Sequence, residues 1–218
     1  MRYLFIDASN MNDTFAQIGD DSNFVSRVFK TNRDFAAKIT VICDEMLQLK
    51  SYKLSDIDTF VLGTGPGSLT GLRVAAAFMR AMAMLKNCDL IGIDQFVWAS
   101  NTLKLNGITG KAKLVMPTLI DKAFLVNADL ESLILDEPQL IERSELPTKG
   151  VSSYGINIES DFVKKVNLTD KALHDIVVNK RDKAVSAKGM PELLNILPKY
   201  VIPSQAERKF KFNGGDNK

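Results

Sequence analysis

The chain has 218 residues, which allows one large domain or two domains of about 100 residues each. Hydrophobic residues make up 45% and charged residues 25% of the sequence, as in ordinary globular proteins. The net charge of +2 provides no overall field that would draw the chain to nucleic acid or to a membrane surface.

Cysteine usage and the apolar runs indicate the compartment. Cys43 and Cys88 lie in apolar, helix-like contexts, which favours buried free thiols in a reducing environment. The longest apolar run, 74–85, is interrupted by Arg80 and is too short to cross a bilayer. No signal-peptide pattern is evident at the first residues. We therefore expect a cytoplasmic protein with no membrane segment.

The first half of the chain alternates between predicted strands and helices. The predicted strands cover 2–7, 59–62 and 90–93, a hairpin covers 14–18 and 23–29, and the helices cover 32–50, 68–86 and 95–105. The helix over 32–50 carries an apolar stripe at helical spacing, formed by Phe35, Ile39, Ile42, Met46 and Leu49.

The helix over 68–86 is apolar around nearly its whole circumference. Such a helix must be covered on every side. Burial inside this chain is one explanation and a subunit interface is the other. The interface is favoured because four methionines in this region suit a surface that can repack: Met46, Met79, Met82 and Met84.

The second half of the chain predicts a smaller and less regular lobe. After a boundary near 107–113, strands are predicted at 114–116, 124–127 and 133–135, with further elements at 161–166, 172–179 and 191–197. We expect an N-terminal lobe over 1–106, completed by a C-terminal helix over 190–203. A C-terminal lobe would cover 107–189, and a flexible tail 204–218.

The most informative segment is the glycine-rich loop 63–73, which joins a predicted strand to the apolar helix. It is not a P-loop, because Gly71 is followed by Leu72 and Arg73 instead of Lys and Ser or Thr. It also lacks the spacing of a dinucleotide fingerprint. Two interpretations remain: the loop cradles an anion with its backbone amides, or its glycines let the helix pack closely on the strand. Spacing alone favours the second.

The sequence offers few groups for catalysis. Its only histidine, His174, cannot form a site that needs two imidazoles, and two cysteines cannot supply a Cys-rich zinc site. Asp7, Asp94 and Asp121 each follow an apolar run, where α/β proteins place functional groups, although helix or turn capping explains them equally well. These patterns favour a binding or scaffold protein over a complete enzyme.

The loop resembles the signature of a known family. Gly65-Pro66-Gly67-Ser68-Leu69-Thr70-Gly71-Leu72-Arg73 is similar to the signature of the TsaB (YeaZ) family, which usually has Phe where Leu69 stands. Further similar segments follow the family's order along the chain: 4–9, 90–99, 115–117 with 120–121, and 198–200 with 205–207.

The resemblance implies a two-lobed α/β fold of the actin/Hsp70/sugar-kinase (ASKHA) type. It also implies a non-catalytic subunit, with no metal of its own, of the bacterial machinery that places threonylcarbamoyl on the tRNA adenosine beside the anticodon. In that family the subunit pairs with its paralogue TsaD, which holds the metal and the active site, and the ATPase TsaE joins them. tRNA would be engaged through the complex. The apolar character of the predicted interface also leaves open a homodimer of the isolated chain.

Two sets of site residues follow from the resemblance. The helices 33–50 and 68–86 would contact TsaD, through Phe35, Ile39, Ile42, Met46, Leu72, Ala75, Ala76, Met79, Met82 and Ala83. A nucleotide, ATP or ADP, bound between the subunits would lie near Asp7, Ser9, Gly65, Gly67, Ser68, Thr70, Gly71 and Arg73.

The chain departs from the family pattern at 10–13, at 30–33 and after Asp121, where only Lys122 is basic. An alternative therefore stays open: a stand-alone ATPase or small-molecule kinase of the same fold, with Asp7 holding a metal–nucleotide complex. A peptidase is a weaker third reading, since no triad or metal constellation supports it.

Overall fold

A computed structural model describes residues 1–118, 121–147, 152–158, 160–183, 185–188 and 190–198. The strands in chain order are β1 (Tyr3–Asp7), β2 (Asp13–Gly19), β3 (Phe24–Lys30), β4 (Thr59–Gly65), β5 (Asp89–Asp94), β6 (Lys111–Pro117), β7 (Lys122–Asp129), β8 (Ile134–Leu135), β9 (Gln139–Glu142), β10 (Ser153–Ile156), β11 (Val163–Val166) and β12 (Val185–Ala187). The helices are α1 (Phe35–Leu49), α2 (Leu69–Lys86), α3 (Gln95–Leu105), α4 (Asp170–Asn179) and α5 (Met190–Leu193), and single 3₁₀ turns occupy Leu54–Asp56, Arg143–Glu145 and Arg181–Lys183.

The first sheet is mixed, with the strand order β12-β5-β4-β1-β2-β3. β1 pairs in parallel with β4, which pairs in parallel with β5, while β2, β3 and β12 run antiparallel to their neighbours. Every residue of β1 and of β4 is buried. Strands buried on both faces read as continuous apolar runs, which is why 2–7 and 59–62 could be recognised in the sequence.

Helices cover both faces of the first sheet. On one face, α1 and α2 pack against Leu4, Ile6 and Leu62. On the other face, Tyr3 and Phe5 pack against Trp98 of α3 and against α4. The sheet is thus the middle layer of an α/β sandwich, and its parallel strands all end at one edge.

The second sheet has the order β11-β10-β6-β7-β8, with β9 also pairing with β7. Its main core joins Leu114, Val126 and Tyr154 to Phe96 and Ala99 of α3. Since Trp98 of the same helix packs on the first sheet, α3 lies between the two sheets and joins them.

The central position of α3 explains its composition. Ser100, Asn101 and Thr102 are fully buried, and hydrogen bonds within the protein satisfy two of them. Asn101 donates to the Ala172 carbonyl at 2.9 Å, and the Thr102 hydroxyl donates to the Trp98 carbonyl at 3.0 Å. Buried polar side chains are as a rule paired in this way. Ser100 is the exception on this helix, because its buried hydroxyl has no hydrogen-bond partner among the described residues.

The end of the described chain returns to the first sheet. β12 pairs with β5, and the short α5 contributes Leu193 to the core beneath α2. The C-terminal helix predicted over 190–203 is described only as Met190–Leu193, since 194–198 are not helical and 199–203 lie outside the described residues, as does the tail 204–218. The division into lobes at 106 and 189 stays a prediction.

Candidate functional site

The glycine loop connects β4 to α2 and is fastened to the end of β1. The Ser68 N–H donates to the Ser9 carbonyl at 2.6 Å. Ser68 is also the N-cap of α2, because its hydroxyl accepts from the Gly71 N–H at 3.4 Å. Ser68 therefore caps α2, whereas Thr70 lies exposed in its first turn.

Two glycines of the loop stand where no side chain fits. A Cβ at Gly67 would lie 2.5 Å from the Ser9 carbonyl oxygen, and a Cβ at Gly71 would lie 2.1 Å from the Ala8 carbonyl oxygen. Both distances fall far inside van der Waals contact. These glycines therefore allow the first turn of α2 to press against the end of β1.

The carboxyl group of Asp7 lies at the end of β1, where both of its oxygens accept hydrogen bonds. Its Oδ1 accepts from the Ser9 N–H at 2.8 Å, and its Oδ2 accepts from Gln95 Nε2 at 3.0 Å. Gln95 Nε2 also donates to the Ser9 hydroxyl. Burial raises the pKa of Asp7, against the lowering effect of these hydrogen bonds. Both oxygens of the Asp7 carboxyl group are therefore already engaged by donors within the protein.

This geometry bears on the two interpretations of the loop. The amides of Ser68 and Gly71 already donate within the protein, and the close contacts of Gly67 and Gly71 tie the loop to β1. The arrangement favours the packing interpretation. The structure does bring most of the predicted nucleotide-proximal residues together around the end of β1, but their role toward a nucleotide stays a prediction.

The predicted TsaD-contacting residues need a correction. All of them except Met82 are buried, and Met46, Leu72, Ala75, Met79 and Ala83 have no exposed surface. Apart from Leu72, the buried ones lie in the core between α1, α2 and the first sheet. The apolar stripe found in the sequence is thus the inward face of each helix, so these side chains cannot contact a partner while the chain stays folded.

The outward face of α2 is nevertheless apolar. We call it the α2 stripe: Val74, Ala77, Phe78, Ala81, Met84 and Leu85, which follow one another at intervals of one, three or four residues. Leu85 is 82% exposed and Met84 is 42% exposed, while Ala77 and Ala81 are exposed and Val74 and Phe78 half-buried. The outward face of α1 is more mixed, with Val41 54% exposed beside the exposed Thr40 and Asp44.

The histidine, His174, belongs to a hydrogen-bonded group that also contains Tyr3 and Gln17. The Tyr3 hydroxyl lies 2.7 Å from Gln17 Oε1 and 2.9 Å from His174 Nδ1. Gln17 Nε2 donates to the Ser26 hydroxyl and the Asp170 carbonyl, which fixes Oε1 as an acceptor. The single hydroxyl proton of Tyr3 therefore goes to Gln17, and His174 donates from Nδ1. Burial lowers the pKa of His174, so the neutral ring is favoured.

Asp94 and Asp121, the other two carboxylates predicted at strand ends, lie in different surroundings. Asp94 ends β5 as expected and is the N-cap of α3, accepting from the Phe96 N–H at 2.6 Å. Asp121 does not end a strand: it precedes β7 and forms an exposed ion pair with Arg143 at 3.7 Å. Within the described part of the chain, no group of three or more His, Cys, Asp or Glu residues could hold a metal ion.

The contribution of Gln95 was not foreseen from the sequence. It reaches from the start of α3 to the end of β1, where it binds both Asp7 and Ser9. Only its position immediately after the strand-ending Asp94 hinted at a role.

Among the described helices, none combines the length and the hydropathy needed to cross a membrane.

Comparison with known proteins agrees with the sequence motifs. A family model described as "TsaD: tRNA N6-adenosine threonylcarbamoyltransferase" matches residues 29–119, from β3 to just beyond β6. The solved structure of YeaZ from Pseudomonas aeruginosa superposes with a TM-score of 0.71 at 14% identity, over 92% of this chain and 99% of the other. A second structure, described as an uncharacterized protein with similarity to peptidase YeaZ from Pseudomonas aeruginosa, covers the same shares at 14% identity with a TM-score of 0.70.

At 14% identity these structural matches establish a shared fold. The α/β, two-lobed ASKHA-type fold expected from the sequence is confirmed. The signature residues, the family match over 29–119 and the shared fold together confirm the resemblance of this chain to the TsaB (YeaZ) family.

Proposed function

We propose that this protein is a non-catalytic subunit of a tRNA threonylcarbamoyltransferase, pairing with a TsaD homologue that carries out the chemistry. The family match supports a role in this tRNA modification, since it spans α1, the signature loop and α2. In this proposal TsaE joins the pair, and tRNA is engaged through the complex.

The observation that carries the pairing is the exposed α2 stripe. Monomeric proteins expose scattered apolar side chains, but a continuous apolar row on one helix marks a contact surface. Small residues at its centre, Ala77 and Ala81, would let a partner helix approach closely. Leu85 and Met84 at its end would supply apolar area.

The buried residues beneath the stripe have a different role in this proposal. Met79 belongs to the core between α2 and the first sheet, and Leu72 is fully buried as well. Replacing either by Glu would place a charge in the core and unfold the chain. Loss of partner binding in such variants would therefore say nothing about the contact surface.

A sharper test uses the exposed residues. Co-expression of the chain with a TsaD homologue from the same genome, followed by affinity purification and sizing, should yield a 1:1 complex. Ala81→Glu should weaken the association by roughly 3 kcal/mol, or more than 100-fold in Kd, because the carboxylate would be buried without a partner. The same substitution should leave the folding of the isolated chain unchanged, since Ala81 is exposed.

The matched control is Ile134→Glu. Ile134 is 64% exposed and lies on β8 in the second sheet, away from α2. The Ile134→Glu substitution adds the same charge at an exposed apolar position and should leave the complex intact. If Ala81→Glu bound as well as Ile134→Glu, the stripe would not be the contact surface. The same variants test the isolated chain: if it forms a homodimer through the stripe, Ala81→Glu should yield the monomer.

A further inference from the structure

Residues 193–198, which we call the strap, lie beside α2 on the same face of the first sheet. The Arg80 guanidinium of α2 donates to the carbonyls of Leu194, at 3.5 Å, and of Ile196. The side chains of Leu193 and Ile196 belong to the core that α2 forms with the sheet. Side chains and backbone together therefore fix the strap to α2.

The strap exposes a large apolar side chain on its outer side. Leu194 is 56% exposed, although Leu193 before it and Ile196 after it are each only 1% exposed. Leu193 and Ile196 face the sheet, so the exposed Leu194 lies on the outer surface of the layer to which α2 also belongs.

This outer surface continues from the strap onto the α2 stripe. Ala77 and Met84 lie three residues before and four residues after Arg80, and residues at these intervals are neighbours on a helix surface. Because Arg80 binds the strap directly, the strap runs along the flank of α2 next to these two stripe residues.

The α2 stripe alone is small for a stable complex. An 18-residue helix is about 27 Å long and about 10 Å wide, so its outward face offers on the order of 300 Å². Stable protein–protein interfaces cover about 800 Å² on each partner. A partner that binds the stripe must therefore also cover a neighbouring element.

The two neighbours of α2 in this layer are α1 and the strap, and their outer surfaces differ. On α1, the exposed Thr40 and Asp44 lie beside Val41. On the strap, Leu194 offers a large apolar side chain next to the stripe. Interface centres are depleted in charged residues, so the strap is the better continuation of the apolar surface.

We propose that the strap and the α2 stripe form one contact surface, and that the TsaD homologue covers Leu194 together with Ala77, Ala81 and Met84. This inference rests on the proposed function, because it assigns a second element to the surface that the same partner contacts.

The test compares the Kd of the TsaD homologue for the wild-type chain with that for Ala81→Glu, Leu194→Glu and Leu197→Glu. Leu197 is the matched control: it is also a 56% exposed leucine of the strap, but it lines a cavity at the carboxyl ends of β4 and β5, with Thr64 and Asp94. Leu194→Glu should weaken binding about tenfold or more, because its carboxylate would be buried against the partner. Leu197→Glu should bind like the wild type.

Two further measurements accompany the binding assay. Each isolated variant should keep the Tm of the wild type, because both leucines are exposed. In the wild-type complex, amide hydrogen exchange in 193–198 should be slower than in the isolated chain, because the partner would cover the strap.

The outcomes separate this inference from the proposed function. If Ala81→Glu weakens binding but Leu194→Glu binds as tightly as Leu197→Glu, the strap lies outside the contact surface and the inference is wrong, while the proposed pairing stands. Unchanged exchange in 193–198 on complex formation would overturn the inference in the same way. If the wild-type chain forms no complex with the TsaD homologue, both the inference and the proposed function are wrong.

Discussion

The contact of the signature loop with β1 makes one substitution especially informative, Gly71→Ala. In most helices this change is favourable, because Ala exceeds Gly in helix propensity by about 1 kcal/mol. Here the added methyl group would lie 2.1 Å from the Ala8 carbonyl oxygen, a backbone atom that cannot rotate away. To reach ordinary contact, near 3.4 Å, either β1 or the first turn of α2 must move by more than 1 Å.

The gain in helix propensity stabilises the fold and the clash with β1 destabilises it, so their relative magnitudes decide the change in unfolding free energy. Overpacking a tight interior costs about 1–3 kcal/mol, and more where the neighbour is rigid. Because the clash is with backbone, we place the cost at the upper end of that range. After subtracting the propensity gain, Gly71→Ala should lose about 2 kcal/mol of unfolding free energy. For a chain of this length that is a fall in Tm of roughly 4–8 °C.

Urea denaturation followed by circular dichroism measures this difference. Thr70→Ala is the matched control, since it raises helix propensity in the same turn at an exposed position without adding an atom to the contact. It should be neutral or slightly stabilising. If Gly71→Ala were as stable as Thr70→Ala, the tight packing of the signature loop on β1 would be refuted.

Three further predictions follow from the buried and paired groups. Burial raises the pKa of Asp7, so folding stability should fall as pH rises from the ordinary Asp value of about 4 through the higher pKa of the folded state. In urea titrations Asp7→Asn should lack this fall. A pH profile of Asp7→Asn identical to that of the wild type would contradict the raised pKa. Hydrogen bonds from Tyr52, two backbone amides and Lys50 lower the pKa of Asp20, so its stabilisation should be present at neutral pH and lost as pH falls below about 4. The destabilisation caused by Asp20→Asn should accordingly shrink with acid, and a constant difference would be evidence against the network. Met79→Ala, which opens a void beneath α2, should lose about 2–5 kcal/mol of unfolding free energy, whereas a loss below 1 kcal/mol would show that Met79 is not a core residue.

The regular part of the fold could be predicted because its signals are local. β1 and β4 are continuous apolar runs, α1 has a clear helical stripe, and the bounds predicted for α3 match the observed Gln95–Leu105. In the second half, β10 and β12 are short and pair with distant strands, so no local pattern marks them. The strand β9 was missed for another reason: it is only four residues long, and Gln139–Glu142 begins and ends with polar or charged residues.

The helices α1 and α2 were predicted in position, but the sequence did not show which face of each helix is exposed. Hydrophobic periodicity identified α1 and α2 as unusually apolar, yet it could not say which side of each helix faces the sheet. Phe35, Ile39 and Met79 face the core. Residue size does not tell the two faces of α2 apart, since its buried face includes Ala75, Ala76 and Ala83 while Met84 and Leu85 are exposed.

The role of Gln95 shows a different limit. Its contact with Asp7 joins residues 88 positions apart, and it depends on how β5 and β1 sit in the same sheet. Such contacts follow from strand order, which the sequence pattern alone does not provide. The glycine loop was easier to recognise in the sequence, because its unusual composition indicates a tight backbone contact even though the sequence does not show which strand it contacts.

In the proposed function the chain assists a catalytic partner and performs no modification alone. The most direct measurement is tRNA threonylcarbamoylation in a reconstituted reaction containing the threonylcarbamoyl donor, ATP, the TsaD homologue and TsaE, with and without this chain. We expect modified tRNA only when the TsaD homologue and this chain are both present, and a strong loss of product with Ala81→Glu but not with Ile134→Glu. Full modification by the TsaD homologue and TsaE without this chain, or by this chain without the TsaD homologue, would contradict it.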